Sequence, residues 1–516
     1  MKEKNSHIFR KILKLFSSRL FFTAIGIILQ IFLIYKFTNS TKVISTTFYW
    51  SNLLLGIIET VIIVNSKSNN GYKISWIILV LVMPVFGGFF YFLFAGNRAS
   101  KKEKKKMINI NMHLNEYVKQ DKQIMNKLKE ENYDAYRQAR YILDISQDPI
   151  FQNSYCSYFS SGETFFEDLI KELKKAEKFI FLEYFIIKPG KMWDTILSIL
   201  EEKARNGVDV RIIYDDFGCI SSFGWNYPKK LAEKNIKCIV FNRFVPFISV
   251  RMNNRDHRKI TVIDGKVGYT GGINIADEYI NEIERFGHWK DTAIKLEGDA
   301  VWNLTSLFLS IWDYLNDTVE YDYRKYKSTA KIKNNSYVSA YGTIPIINET
   351  IGENIYLNLI NRAHKYIYIT TPYLVIDDEL TTALCNASKS GIDVRIITPA
   401  IPDKKMVNLL TKSYYPVLMD AGIKIYEYTP GFIHAKTICV DDKFASIGTT
   451  NFDYRSLYLN YECGTWIYND NVIYDIRNDF LSTVKLSEEV NKQTLRKISR
   501  GKKLFTSVLR FLAPLA

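Results

Sequence analysis

The sequence predicts an α/β protein built from two duplicated lobes behind an N-terminal transmembrane helical region. Three observations predict it. Long apolar stretches are confined to the first hundred residues; after about residue 145, β-rich runs alternate with amphipathic helical stretches; and that alternation recurs 184 residues further on.

The apolar stretches cover residues 20–37 (LFFTAIGIILQIFLIYKF), 43–64 (VISTTFYWSNLLLGIIETVIIV) and 74–95 (ISWIILVLVMPVFGGFFYFLFA). About 20 mostly apolar residues are needed to cross a hydrocarbon core. The first and third stretches are clean. The second carries Ser45, Thr46, Thr47, Ser51, Asn52 and Glu59 and is the weakest candidate. Basic residues crowd both flanks: Lys2, Lys4, Arg10, Lys11, Lys14 and Arg19 before, then Arg98, Lys101, Lys102, Lys104, Lys105 and Lys106 after. Lysine and arginine favour the cytoplasmic side, so both clusters inside require an even number of crossings. Either the second stretch does not span, or the third folds back at residues 84–88 (PVFGG). Two crossings and a cytoplasmic remainder are expected.

The charged, Asn/Gln-rich segment that follows reads as a helical linker. Beyond it, residues 179–187 (FIFLEYFII) form a β-rich run, a helical stretch continues to Ala204, and residues 208–214 (VDVRIIY) form another strand. The repeat is explicit. Residues 174–182 (KKAEKFIFL) match 361–369 (NRAHKYIYI), and 205–213 (RNGVDVRII) match 389–397 (KSGIDVRII) at six of nine positions. The expected organisation is a transmembrane region (1–100), a basic linker or collar (101–145), a first lobe (146–330), a second lobe (331–490) and a basic amphipathic C-terminal helix (491–516). The last of these pairs basic with apolar residues (KISRGKKLFTSVLRFLAPLA, 497–516). It suits either an anionic membrane surface or packing on its own domain.

Composition narrows the partners. Hydrophobic residues make up 47% and charged residues 24%, which excludes wholesale disorder. Lys and Arg total 69 against 54 Asp and Glu, a formal charge of +15. That surface suits an anionic partner: nucleic acid, anionic lipid or a phosphorylated substrate. Cys156, Cys219, Cys238, Cys385, Cys439 and Cys463 are scattered without metal-ligand spacing, which argues against a structural zinc or a disulfide framework.

Each lobe carries one short polar constellation. The first is His257, Lys259 and Asp264, then Asn274; the second is His434, Lys436 and Asp441, then Asn451. Both read HxKxxxxD followed by GxxN, and the two histidines are 177 residues apart, close to the repeat spacing. One HxK is a weak signal; the doubled arrangement at repeat spacing is strong. In an extended chain, residues i and i+2 face the same side, so His and Lys point into one site. Two Lys and two Asn converging across a pseudo-two-fold axis would hold one phosphate. Of the facing histidines, one attacks while the other protonates the leaving oxygen. No metal or other cofactor is expected.

At these motifs the chain resembles the phospholipase D superfamily, and within it the bacterial cardiolipin synthases. The resemblance rests on residues 254–279 (NRDHRKITVIDGKVGYTGGINIADEY), 287–301 (GHWKDTAIKLEGDAV), 432–462 (FIHAKTICVDDKFASIGTTNFDYRSLYLNYE) and 78–98 (ILVLVMPVFGGFFYFLFAGNR). It departs at residues 374–376 (LVI), where the family usually has a proline after Thr-Pro-Tyr, and in the apolar segment before residue 65. The resemblance implies two phospholipase D-like lobes, each a mixed sheet flanked by helices, with one active site between them. It implies a ping-pong, metal-free reaction through a phosphatidyl-histidine. The implied substrate is phosphatidylglycerol, used twice to give cardiolipin and glycerol. His257 is then the nucleophile and His434 the general acid and later base, roles that the sequence leaves exchangeable. Lys259, Lys436, Asn274 and Asn451 would hold the phosphoryl oxygens. The motif acids Asp264 and Asp441 are counted with their His and Lys as catalytic residues. Related enzymes also set an acid across the lobe interface against the opposite histidine, and Asp291 and Glu462 are the candidates here, a pairing that would leave Asp264 and Asp441 more structural than catalytic.

His7, His113, His288 and His364 lie outside the motifs; of these, His288 is near enough to Asp291 to line the site. The N-x-S/T sequences at Asn303 and Asn348 are read as chance. The expected partners are phosphatidylglycerol and anionic membrane lipids, with no nucleic acid, in a multi-pass protein of a bacterial-type cell membrane. Rival readings are another phosphatidyltransferase or a phospholipase of the same chemistry, a phosphodiesterase nuclease, and a dead scaffold. The last would have lost a motif His or Lys, and none is lost. Oligomeric state is left open.

Overall fold

The computed structural model describes residues 19–94, 100–243, 254–318, 320, 322–327, 332–347, 349–491 and 500–515. The basic residues before Arg19, Arg98, Asn348 and the start of the C-terminal segment lie outside them. Two compact units emerge: residues 1–99 with 244–254 and 507–516, and residues 100–243 with 255–506.

The first unit is helical: α1 (Arg19–Thr38), α2 (Lys42–Val64), α3 (Asn70–Val82) and α4 (Pro84–Phe94). Among the described residues, α2 is the helix long and apolar enough to cross a membrane. It is the stretch whose polar residues made it the weakest candidate. Part of that polarity is absorbed within the helix: Asn52 Nδ2 donates to Phe48 O, and the neighbouring Thr60 Oγ1 to Gly56 O. The third stretch does not run through. Met83 leaves the helical region (φ −138°, ψ 72°) because Pro84 bars the residue before it from helical dihedrals. The resulting 13-residue α3 is about 20 Å long, short of a roughly 30 Å core. The chain then doubles back. Trp76 and Tyr91 meet edge to face with centroids 5.5 Å apart, and Gly87 lies so close to Val80 that a Cβ there would sit 2.8 Å from its Cα.

The second unit opens with the helix Lys101–Tyr117, started by a Ser100/Glu103 capping box; its buried Met107, Ile110 and Leu114 form an i, i+3, i+7 stripe. Two sheets follow. The first holds β1 (Ser154–Phe159), β2 (Phe179–Tyr184), β3 (Asp209–Asp215), β4 (Lys237–Phe241), β5 (Lys259–Ile263), β6 (Val267–Gly271) and β8 (Ala293–Gly298), with β7 (His288–Lys290) set apart. Its order is β1-β8-β6-β5-β2-β3-β4. In the second are β9 (Tyr337–Thr343), β10 (Tyr366–Thr370), β12 (Asp393–Pro399), β13 (Lys424–Tyr428), β15 (Thr437–Val440), β16 (Phe444–Gly448), β18 (Glu462–Tyr468) and β19 (Ser487–Glu489). Short β11 (Leu374–Val375), β14 (Gly431–Ile433) and β17 (Phe452–Asp453) lie outside that sheet. Its order is β19-β13-β12-β10-β15-β16-β18-β9. Read from β9, this repeats the first sheet strand for strand, with β19 added. In both, three parallel strands (β2, β3, β4; β10, β12, β13) join an antiparallel run through β5 or β15.

The parallel strands are covered on both faces, which is why β2 is apolar without alternation. Phe181 stacks on Phe308 of the helix Val301–Asn316, with ring centroids 4.5 Å apart. On the other side, Ile180 and Leu182 pack among Phe165, Leu169 and Leu173 of the helix Gly162–Lys175. Each such side chain, fully buried, contributes about 1.5–3 kcal/mol. This rigid double sheet is the platform from which the loops at the ends of β5 and β15 project.

Candidate active site

His257 and His434 lie just ahead of β5 and β15 in extended chain; Lys259 is the first residue of β5, and Lys436 immediately precedes β15. Each histidine segment is paired by its backbone to the other lobe. Asp256 bridges Tyr461, His257 N–H donates to Tyr461 O at 2.9 Å, and Tyr461 N–H to Arg255 O at 2.8 Å. On the other side, β14 runs parallel to β7, and His434 N–H donates to Lys290 O at 2.7 Å. The residue after each pairing partner is an acid. Glu462 therefore meets His257 Nδ1 at 2.9 Å, and Asp291 meets His434 Nδ1 at 2.7 Å. A carboxylate on Nδ1 sets the tautomer and leaves Nε2 of each ring for the substrate.

The two acids are not equivalent. Glu462 also accepts from Thr449 Oγ1 and, at 3.1 Å, from Asn460 Nδ2. Burial pushes Glu462 up, but His257, Lys259 and the Thr449 hydroxyl outweigh it and hold its carboxyl below the usual range. Asp291 has one backbone donor, Thr292 N–H at 2.8 Å, and burial, only partly offset by Lys436, pushes it up to about 7. Gly272 makes room for it: a Cβ at 272 would sit 2.0 Å from Asp291 Oδ1.

The histidine side chains keep 12% and 8% of their surface, while Lys259 and Lys436 are buried and donate to the carbonyls of His257 and His434. Burial lowers every cation here: Lys259 to about 8, Lys436 to about 7 and His257 to about 4. His434 falls well below its ordinary value through burial and then the charges of Lys436 and Lys259. Aromatic rings wall the site: Phe185 beside His257, and Tyr279, Trp289 and Phe432 beside His434. An anion entering this cluster restores the charged forms of the lysines. Sulfate, dianionic throughout, is therefore expected to bind with proton uptake. Its Kd should rise with pH above about 7, approaching tenfold per unit as Lys436 loses its proton, and more steeply above about 8, where Lys259 loses its own and two protons are taken up. Calorimetric titrations from pH 6 to 9 check this, and a flat Kd would contradict it.

The other motif residues divide. Asn274 Oδ1 accepts from Ile186 N–H at 3.0 Å and its Nδ2 donates to Tyr279 OH at 2.7 Å. Asn451 is buried, with Oδ1 unpartnered among the described residues. Asp264 and Asp441 stand at the far ends of β5 and β15. Asp264 accepts the backbone N–H groups of Glu177, Lys178 and Phe179; Asp441 accepts those of His364, Lys365 and Tyr366. They tie each motif strand to its neighbour, and at about 3.3 Å per residue they are some 20 Å along the chain from the histidines. The expectation of a catalytic part for them gives way to this structural one. His288 is exposed and bonded to Tyr428 OH at 3.0 Å.

Arg258, between the two motif residues, went unread in the sequence, although alternation alone turns it away from them. It is 0% exposed, 3.3 Å from Glu183 and 3.5 Å from Asp256, and donates to Leu307 O. It links Asp256, next to His257, with Glu183 of β2 and the helix Val301–Asn316 from behind. Elsewhere, Glu353, Asp377 and Glu379 bring carboxylate oxygens within 4.8 Å of one another, a set that shares no residue with the histidine site.

Residues 169–286 and 356–484 match the family model described as cardiolipin synthase, PLD-like domain, and residues 54–96 match a phospholipase D-nuclease N-terminal model. A cardiolipin synthase of Alkalihalophilus pseudofirmus is 33% identical over 475 residues, 92% of this chain and 93% of its own. The chain belongs to the cardiolipin synthase family of phospholipase D-like phosphatidyltransferases. Within that family a cardiolipin synthase of Clostridium perfringens is 34% identical over 86% of this chain and 93% of its own. An uncharacterized protein of Streptococcus mutans is 44% identical over 88% and 98%. A phosphatidylserine synthase of Haemophilus influenzae superposes with a TM-score of 0.57 over 74% of this chain and all of that one, at 16% identity, which speaks for the fold.

Proposed function

We propose that the chain joins two phosphatidylglycerol molecules into cardiolipin and glycerol through a phosphatidyl-His257 intermediate. The observation that carries this is the crossed pair of histidines, each held on Nδ1 by a carboxylate of the opposite lobe, with both motif lysines buried beside them. His257 Nε2 attacks phosphorus; His434 passes a proton to the glycerol oxygen as the phosphorus–oxygen bond breaks. A second phosphatidylglycerol then loses a hydroxyl proton to His434, and its oxygen displaces His257. The asymmetry of the acids supports this order. An ionised Glu462 offsets the positive charge that His257 acquires when its Nε2 binds phosphorus. Asp291, near 7, shares a site that must both give and take a proton. The lysines, with Asn274 and Asn451 at the same ends of the lobes, supply the charge and hydrogen bonds of a metal-free site. Thin-layer analysis of products from labelled phosphatidylglycerol, run with EDTA present, tests the proposal. Cardiolipin with glycerol release is expected; phosphatidic acid alone, or activity restored only by one divalent ion, would contradict it.

We further read α1 and α2 as two crossings of the cell membrane and the α3–α4 hairpin as re-entrant, leaving both basic clusters and the lobes cytoplasmic. Ser40→Cys, between α1 and α2, is then labelled by an impermeant maleimide on intact cells, and Ser100→Cys is not. The reverse pattern overturns the orientation.

A further inference from the structure

Three residues on the His434 side of the site belong to neither motif. Tyr373 follows β10 and packs against the first-lobe cluster that contains Tyr279, Trp289 and Phe432, the rings around His434. Its hydroxyl donates to Asp403 Oδ2 at 2.6 Å, and Lys404 Nζ lies 5.2 Å from its ring centroid. Asp403 Oδ1 is sealed from solvent and has no hydrogen-bond partner among the described residues. Lys404 is exposed; among the described residues no carboxylate forms an ion pair with it, and its charge is one of those acting on His434. One exposed cation and one covered, unused acceptor therefore stand side by side within reach of the acid–base histidine's field.

We propose that Asp403 and Lys404 form the acceptor subsite, which binds the phosphoglycerol headgroup of the second lipid. This rests on the cardiolipin-forming reading above. Lys259 and Lys436 are committed to the phosphate being transferred. The acceptor brings a second phosphodiester, one glycerol length from its attacking oxygen, and that anion needs its own cation. Lys404 supplies it, on the side where His434 takes the hydroxyl proton. Asp403 Oδ1, covered in the empty site, is uncovered as Lys404 turns to the phosphate and accepts from the headgroup's other hydroxyl. An anion next to a diol distinguishes phosphatidylglycerol from water, which has neither, and a subsite built to pair both groups rejects an acceptor lacking them.

The test is the ratio of cardiolipin to phosphatidic acid made by full-length enzyme on vesicles of phosphatidylglycerol in phosphatidylcholine. The ratio is internal to each enzyme and independent of how much protein is active. Lys404→Ala and the milder Lys404→Gln are expected to lower it about tenfold, the scale of one lost charge-assisted hydrogen bond, and Lys404→Arg to keep it within about threefold. Raising the phosphatidylglycerol fraction should recover part of the loss, since the defect is in acceptor binding. If the unmodified enzyme makes cardiolipin and neither Lys404 variant changes the ratio, the subsite is wrong and the function stands. If the unmodified enzyme makes phosphatidic acid alone, both readings fall.

Discussion

His257→Ala and His434→Ala each end turnover of phosphatidylglycerol, with an expected loss of at least about 10⁴-fold, because covalent capture of phosphorus and protonation of a poor leaving oxygen are both required. The two variants separate on a phosphatidyl ester of p-nitrophenol, whose leaving group needs no proton. His434→Ala should then release one nitrophenolate per site in a burst and stop, holding the phosphatidyl group on His257. His257→Ala should show no burst. Rapid-mix absorbance with digestion of the trapped enzyme reads both outcomes. A burst from His257→Ala with the label on His434 would exchange the two roles, and near-normal turnover of either variant would break the single-site reading.

Glu462→Gln is the second large effect, an expected loss of about 10³–10⁴-fold. A glutamine amide donates to His257 Nδ1 where the carboxylate accepts, so the proton moves to Nε2 and the attacking lone pair is lost. The fold should survive, since Thr449 can still donate to the remaining carbonyl oxygen. Asp291→Asn is expected to cost less, about 10²-fold, because His434 must carry a proton on Nε2 for half of the cycle anyway. Its signature is the pH profile. Asp291 sits near 7 in the empty site, so the wild-type rate should change through neutral pH as that pair titrates, and the Asp291→Asn profile should lose this limb. Combining Glu462→Gln with His257→Ala should cost no more than His257→Ala alone, since the acid acts through the histidine. Full additivity in that cycle would mean that Glu462 works elsewhere.

The apolar stretches show how far local pattern reaches. Hydropathy located all three, but ranked the second lowest for its polar residues, of which Asn52 bonds back one turn to Phe48 O within the helix. The third breaks at Pro84, which the sequence offered only as one of two ways to an even count. The chain turns there because proline lacks an N–H and excludes helical dihedrals at Met83. Glu353 joins Asp377 and Glu379, and Tyr373 joins the adjacent pair Asp403 and Lys404, only through folding.

The sequence by itself determined the duplication, the mixed α/β lobes and the doubled His-Lys pattern, because periodicity and repetition are local properties that survive without knowledge of contacts. Only the tertiary structure decided what each acid does. Glu462 and His257 are 205 residues apart, and Asp291 and His434 are 143 apart; no spacing rule joins them. They meet because short parallel backbone pairings run across the lobes, Asp256 with Tyr461 and β7 with β14, delivering each carboxylate one residue beyond the pairing. The same geometry withdraws Asp264 and Asp441, the acids written into the motif itself. A strand extends about 3.3 Å per residue, so an acid five positions past the lysine stands at the opposite end of the sheet, where unpaired backbone N–H groups claim it.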